Sequence, residues 1–214
     1  MIELDAISVR FPGRVALCDL SLALQPGVTV IHGANGAGKT TLLRLVATLL
    51  SPDRGQVRYP WENAGPGSLD RLRARIGYVP QDGRLMQTLS CADALRYLAA
   101  VRGRPSGRRD VEPLLARWGL WPVRARRLDR LSTGEARRWL LAQSQLSNPD
   151  LWILDEPLRA LDAEAVQTLR AELTLYASST RTTPRFALVA AHDACLDELA
   201  RQVVYLDCGQ IALS

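Results

Sequence analysis

Lysine is nearly missing from this 214-residue chain: of 27 basic residues, Lys39 is the only lysine and the rest are arginines. A chain that uses arginine everywhere else and keeps one lysine points to a site that needs a compact ammonium rather than a planar fork. Cysteine is also sparse. Cys18, Cys91, Cys195 and Cys208 are far apart, with no C-x-x-C pair and no neighbouring histidine. That excludes a disulfide framework and a zinc-type ligand set as the organising principle, and leaves free thiols as the expectation. No apolar run reaches the ~18–20 residues that cross a bilayer. The opening MIELDAISVRF has neither a basic n-region nor a hydrophobic h-region, so it does not read as a signal peptide, and the expected location is the cytosol. Internal repeats and low-complexity tracts are lacking too.

What is present is a basic balance, net +5, spread along the whole chain rather than gathered in a block. Scattered charge does not make a nucleic-acid footprint, so no nucleic acid is expected as a partner. Apolar residues make up 47%, ordinary for a folded domain. The apolar patterning alternates between strands and helices, which argues for an α/β core with a parallel sheet. Strands are expected at 2–11, 16–24, 28–32, 75–81, 151–155 and 186–192. Helices are expected at 39–50, 163–177 and 193–201, with a surface loop at 60–68 and a closing hairpin at 203–213 turning on Cys208-Gly209. The stretch of about 82–148 reads as mainly helical, with a turn at RGRPSGRR, and as an inserted lobe.

Between the buried strand 28–32 and the helix that follows stands GANGAGKT, residues 33–40, which fits G-x-x-x-x-G-K-[ST] in the strand–loop–helix context that motif requires. Gly33, Gly36 and Gly38 let the backbone curl, so that N–H groups of Asn35, Ala37 and their neighbours point inward at phosphate oxygens. Lys39 would reach the β- and γ-phosphates and the Thr40 hydroxyl would ligate Mg²⁺. LWILDEP, 151–157, then delivers a carboxylate to the C-terminal edge of the sheet, where ligands bind in α/β folds. Asp155 would hold Mg²⁺ through water, and Glu156 would act as general base on the attacking water. His192 closes another apolar strand at the same edge, placed to contact a γ-phosphate. His32 lies inside its strand and reads as structural. Gln81 ends the strand before the helical stretch.

LSTGEARRW, 131–139, starts a helix: Ser132 followed by Glu135 is a capping-box pattern with Thr133 and Gly134 in the first turn. A helix start is a natural anion seat, yet nothing local in the chain supplies the anion. Arg137 and Arg138 read as solvent-facing or interlobe residues, one turn too far back to join it.

Assembled, these residues resemble the nucleotide-binding subunit of an ATP-binding cassette (ABC) transporter over nearly the whole chain. GANGAGKTT, which adds Thr41, looks like the Walker A loop, and LWILDEP like Walker B with its glutamate. Gln81 matches the Q-loop, LSTGE the family signature, ALD with Asp162 the D-loop, and His192 the switch histidine. Phe11 falls where the family places an aromatic that stacks on adenine. The resemblance implies a P-loop NTPase fold with a parallel sheet, an N-terminal antiparallel β subdomain and an inserted α-helical subdomain. All of it would form one domain, with 1–81 and about 149–214 as the RecA-like core and about 82–148 as the helical part. It also implies ATP and Mg²⁺ as cofactors, the metal held by Thr40, Gln81 and Asp155. A second ATP-binding subunit would meet this one head to tail, so that Ser132, Thr133, Gly134 and Glu135 serve the neighbour's ATP. Closure of that pair would drive a transmembrane permease on another chain, docked near Gln81 and residues 82–95, which puts this subunit on the inner face of the cell membrane.

The first half looks most like drug and antibiotic exporters, with haem or other export also open. The alternative is a non-transport ABC ATPase acting on DNA or ribosomes. Two departures from the family pattern stand out. Thr133 and Glu135 replace a glycine and a glutamine of the signature, and Arg159 replaces a small D-loop residue. They point to slower hydrolysis or to a heterodimer, while the residues expected to act in cis are intact.

Overall fold

The most apolar strand segments of the chain form the middle of one sheet. In a computed structural model, which describes residues 1–61, 67–83, 88–102, 108–178 and 183–212, the elements run as follows. First come β1 (Ile2–Phe11), β2 (Arg14–Leu24), β3 (Gly27–His32), α1 (Lys39–Val46), β4 (Arg54–Arg58), α2 (Ser68–Arg73) and β5 (Ile76–Val79). Helices α3 (Cys91–Val101), α4 (Arg108–Arg117) and α5 (Thr133–Ser144) follow. The chain closes with β6 (Leu151–Asp155), α6 (Ala163–Ala177), β7 (Phe186–Ala190), β8 (Gln202–Asp207) and β9 (Gln210–Ile211).

The large sheet has the order β5-β6-β7-β3-β8-β9, parallel except for the β8–β9 hairpin. Every residue of β3, β6 and β7 is buried, as a parallel sheet covered on both faces requires. The smaller sheet is antiparallel, in the order β2-β1-β4. One apolar core joins that sheet to α1 and one face of the large sheet. A second core joins the other face to α3–α6, with Trp118, Trp139 and Trp152 buried in it.

Two expectations are corrected, and one strand is added. The helix expected at 39–50 stops at Val46. Thr48 takes a left-handed conformation there, Thr48 N–H donates to Leu45 O at 3.0 Å and Leu49 N–H to Arg44 O at 2.9 Å. Those bonds are a Schellman ending built on threonine, so no glycine announced it. No helix occupies 193–201; only a 3₁₀ turn, Asp197–Leu199, forms. The segment is held instead by its ends: Arg170 donates to Cys195 O, and His32 Nε2 lies 2.8 Å from Asp197 Oδ1. β4, with the sequence RGQVR, has no apolar alternation and pairs with β1 at a bulge, where Gly55 sits at φ 82. Most of the loop expected at 60–68 and of the turn at RGRPSGRR lies outside the described residues, as do 84–87 of the expected docking segment.

Candidate phosphate-binding site

Sheet register brings the chemistry together. Ala190 of β7 is level with Ile31 of β3 on one side and with Asp155 of β6 on the other. The three strands therefore end together, and the segments they release meet at one edge: 33–38 from β3, Glu156–Pro157 from β6, and Ala191–His192 from β7.

The 33–38 loop can curl only because of its glycines. A Cβ on Gly33, at φ 155, would lie 2.3 Å from Leu206 O, and one on Gly38, at φ 109, 2.6 Å from Ala16 O. Gly38 then caps α1 without a side-chain bond, which leaves the first N–H groups of the helix free to face an anion. Lys39 is buried, and its Nζ donates to Gly33 O at 2.5 Å and Ala34 O at 3.2 Å. Burial lowers its pKa, and the charges of Glu156 and Asp155 act in the opposite direction. Arg14, Ala34, Asn35, Gly36, Gly38, Lys39, Thr40 and Thr41 line a cleft of about 220 Å³, with Gln81 and Glu156 at its far side.

Glu156 stands at the centre of the arrangement. Its Oε1 is 2.5 Å from His192 Nε2, and its Oε2 accepts from Gln81 Nε2 at 3.4 Å. Its backbone lies in the left-handed region at φ 49, an uncommon conformation for a residue with a side chain, and its N–H donates to Ala190 O at 3.0 Å. A carboxylate held this way can take a proton from water. Asp155 differs: it is 1% exposed, and neither carboxylate oxygen has a hydrogen-bond partner. Burial raises its pKa, while the Thr40 hydroxyl lies close enough to favour the charged form. A buried carboxylate beside a hydroxyl is the oxygen donor set that suits a hard divalent cation, so the residues fit Mg²⁺.

The LSTGE helix start is built as its sequence suggests. Ser132 Oγ accepts from Glu135 N–H at 3.2 Å, and Glu135 Oε2 accepts from Ser132 N–H at 2.8 Å. Ser132 and Thr133 are exposed, and none of Ser132, Thr133, Gly134 and Glu135 lines the phosphate cleft. Gly134 does touch its own chain: a Cβ there would lie 2.9 Å from Ala160 O, next to the D-loop. Asp162 caps α6 through Ala165 N–H at 2.8 Å. The D-loop arginine, Arg159, lies 3.6 Å from the exposed Asp82. Phe11 is 40% exposed at the end of β1, outside the apolar core, and pairs in register with the cleft residue Arg14. His32 has the structural role expected of it, with Nδ1 3.2 Å from Ala191 O.

Of the two readings of Arg137, solvent-facing or interlobe, the solvent-facing one fails: the side chain is 5% exposed and runs from α5 between the ends of β5 and β6. Arg14, which lines the cleft, was not anticipated. Its one visible signal was a cation at the tip of the β1–β2 hairpin.

Comparison with known proteins agrees with this geometry. The family model described as ABC transporter matches residues 17–159. The cytochrome c biogenesis ATP-binding export protein CcmA of Bordetella bronchiseptica is 40% identical over 156 residues, covering 72% of this chain and 69% of its own. The molybdenum import ATP-binding protein ModC of Brucella abortus is 33% identical over 216 residues, covering 97% of this chain and 58% of its own. Among solved structures, a dimeric bacterial ABC transporter cassette superposes with a TM-score of 0.87 at 22% identity, covering 100% of this chain and 97% of that one.

Proposed function

The chain belongs to the ABC transporter family and is an ATPase, and from that premise we propose that it works as one of two subunits that close on ATP and drive a separate membrane permease. One observation carries the reading. The cleft is lined by the loop, the lysine, Gln81 and Glu156, with His192 joined to the other carboxylate oxygen of Glu156, while the capped signature helix start lies outside it with Ser132 and Thr133 exposed. A helix start whose exposed Ser132 and Thr133 line no part of their own chain's cleft is accounted for if it meets the γ-phosphate held by a second subunit.

In this account the 33–38 loop and the start of α1 bind the phosphates through backbone N–H groups, and Lys39 carries the compensating charge. Thr40 and Asp155, with Gln81 beside them, would hold Mg²⁺, which supplies charge neutralisation at the β- and γ-phosphates when bound. Glu156 orients the attacking water and accepts its proton. His192 fixes the Glu156 carboxylate and faces the γ-phosphate from the end of β7. Phe11, exposed beside the cleft, offers a ring for the adenine to stack on. Ser132, Thr133, Gly134 and Glu135 complete the neighbour's site, and Asp162 fixes the start of α6 behind the D-loop.

Among the described residues no helix is long and apolar enough to cross a membrane. The membrane partner in this reading is a permease on another chain. We place the subunit on the inner face of the membrane through that partner. Export, in the setting of cytochrome c biogenesis, is the direction suggested by the CcmA relatives at 36–40% identity; the ModC relative is named for import. Purification of the tagged chain from detergent-solubilised membranes tests this. A co-purifying permease, in a complex with this chain whose ATPase activity responds to cargo, supports it. Salt-sensitive binding to DNA or ribosomes with no membrane protein recovered would replace it with a non-transport role.

A further inference from the structure

Strands β5 and β6 run side by side as far as the pair Val79–Leu154, and beyond that pair the ladder ends. Gln81 and Glu156 lie on the two segments that continue past it. The Arg137 guanidinium fills the gap between them. Its Nη1 donates to Pro80 O at 2.6 Å and Gln81 O at 3.4 Å. Its Nη2 donates to Asp155 O at 2.6 Å and Glu156 O at 2.5 Å, and its Nε to Pro157 O at 3.4 Å. All five acceptors are backbone carbonyls and none is a carboxylate.

A cation 5% exposed with no ion-pair partner among the described residues is costly to bury, so its place calls for a specific return. Burial lowers its pKa, and the negative charges of Asp155 and Glu156 offset part of that. The planar fork, with five donors in fixed directions, matches two diverging chains in a way that a lysine ammonium cannot. What it fixes is the relation between two catalytic segments. Glu156, strained at φ 49, needs such a hold to keep its carboxylate 3.4 Å from Gln81 Nε2.

We propose that Arg137 is a positioning residue for hydrolysis in its own chain's ATP site, locking the Gln81 and Glu156 backbones together. Because Arg137 lies just over one turn into α5, the same helix whose start serves the neighbour also sets the geometry of the site in cis. A displacement of the helix start on ATP closure is therefore transmitted to Glu156 of the same chain. The cis assignment rests on the two-subunit reading above.

Pairs of differently tagged copies test it, with Lys39→Ala silencing one ATP site in each pair. In the first pair Arg137→Lys is in the copy with the intact Lys39. In the second it shares a chain with Lys39→Ala, so the live site belongs to an unaltered copy. The reference pair carries Lys39→Ala alone. The first pair should lose at least tenfold in kcat with KM for ATP within twofold of the reference, and the second should match the reference. Equal loss in both pairs, or in the second only, would overturn the cis assignment; no loss in either would overturn the positioning role. Arg137→Gln is the companion variant, and failure of both variants to fold would overturn the proposal in favour of a purely structural role. If the reference copies do not pair on ATP, the two-subunit reading fails instead. The single Arg137→Lys chain then decides: a tenfold fall in kcat with KM kept supports the positioning role, and both kept refutes it.

Discussion

Glu156 Oε1 stands 2.5 Å from His192 Nε2, joining the ends of two strands that are neighbours in the sheet. The contact assigns His192 to Glu156 before any phosphate is considered. His192→Ala should therefore lower turnover by roughly 10²-fold, the lower end of what a positioned proton-transfer group contributes, while ATP binding is kept. Steady-state kinetics alongside fluorescent-nucleotide titration checks both halves; weakened binding with turnover per bound ATP preserved would remove His192 from the chemistry.

Lys39 is buried and donates to Gly33 O and Ala34 O. An arginine keeps the charge but needs more room than this turn leaves, with Gly33 pressed against Leu206 O. Lys39→Arg should abolish measurable turnover and weaken ATP binding by at least tenfold, read by equilibrium dialysis. Near-normal activity would undercut the meaning given to the single lysine.

The capping box makes a pH prediction. The Ser132 backbone N–H, with Arg126 adding to it, holds the Glu135 carboxyl below its ordinary 4.5. A folded value below the unfolded one means that this stabilisation is fully present above 4.5 and is lost as pH falls through the folded value. Glu135→Gln should cost about 0.3–1 kcal/mol near neutrality, and the difference from the unaltered chain should vanish in acid. Ser132→Ala should cost about 1 kcal/mol. Urea unfolding at a series of pH values measures both; a Glu135→Gln difference that persists in acid would show that charge is not its source.

Gly134 faces Ala160 O across a gap that a Cβ would narrow to 2.9 Å. Alanine is the better helix former by about 1 kcal/mol, so propensity alone would make Gly134→Ala stabilising. The contact predicts the reverse for function: the D-loop must shift and turnover should fall several-fold. Raised stability with unchanged turnover would show that the approach of helix and D-loop is not needed.

Much of the site was legible because strand, glycine loop and acid lie in short contiguous stretches. GANGAGKT after VTVIH, and LWILD before Glu156, each contain the whole local argument, and both strands and the loop between β3 and α1 form where the sequence puts them. The misreadings share a different cause. The end of α1 depends on Thr48 adopting a conformation that glycine usually supplies, and the turn after His192 depends on Arg170 and on His32, distant in sequence. The partners of Arg137 were hidden for the same reason. Its five acceptors come from the last residue of β6 and the segments that follow β5 and β6, and an arginine in the first turns of a helix gives no sign that carbonyls await it.

The central claim is that two copies of this chain close on ATP with each signature helix against the other's phosphates. Its most direct test is light scattering of purified Glu156→Gln protein with and without ATP and Mg²⁺. The account predicts a monomer without nucleotide and a stable, ATP-retaining dimer with it, lost again when Ser132 and Gly134 are replaced by bulky residues. A Glu156→Gln chain that binds ATP yet stays monomeric at concentrations well above its ATP affinity would contradict the account.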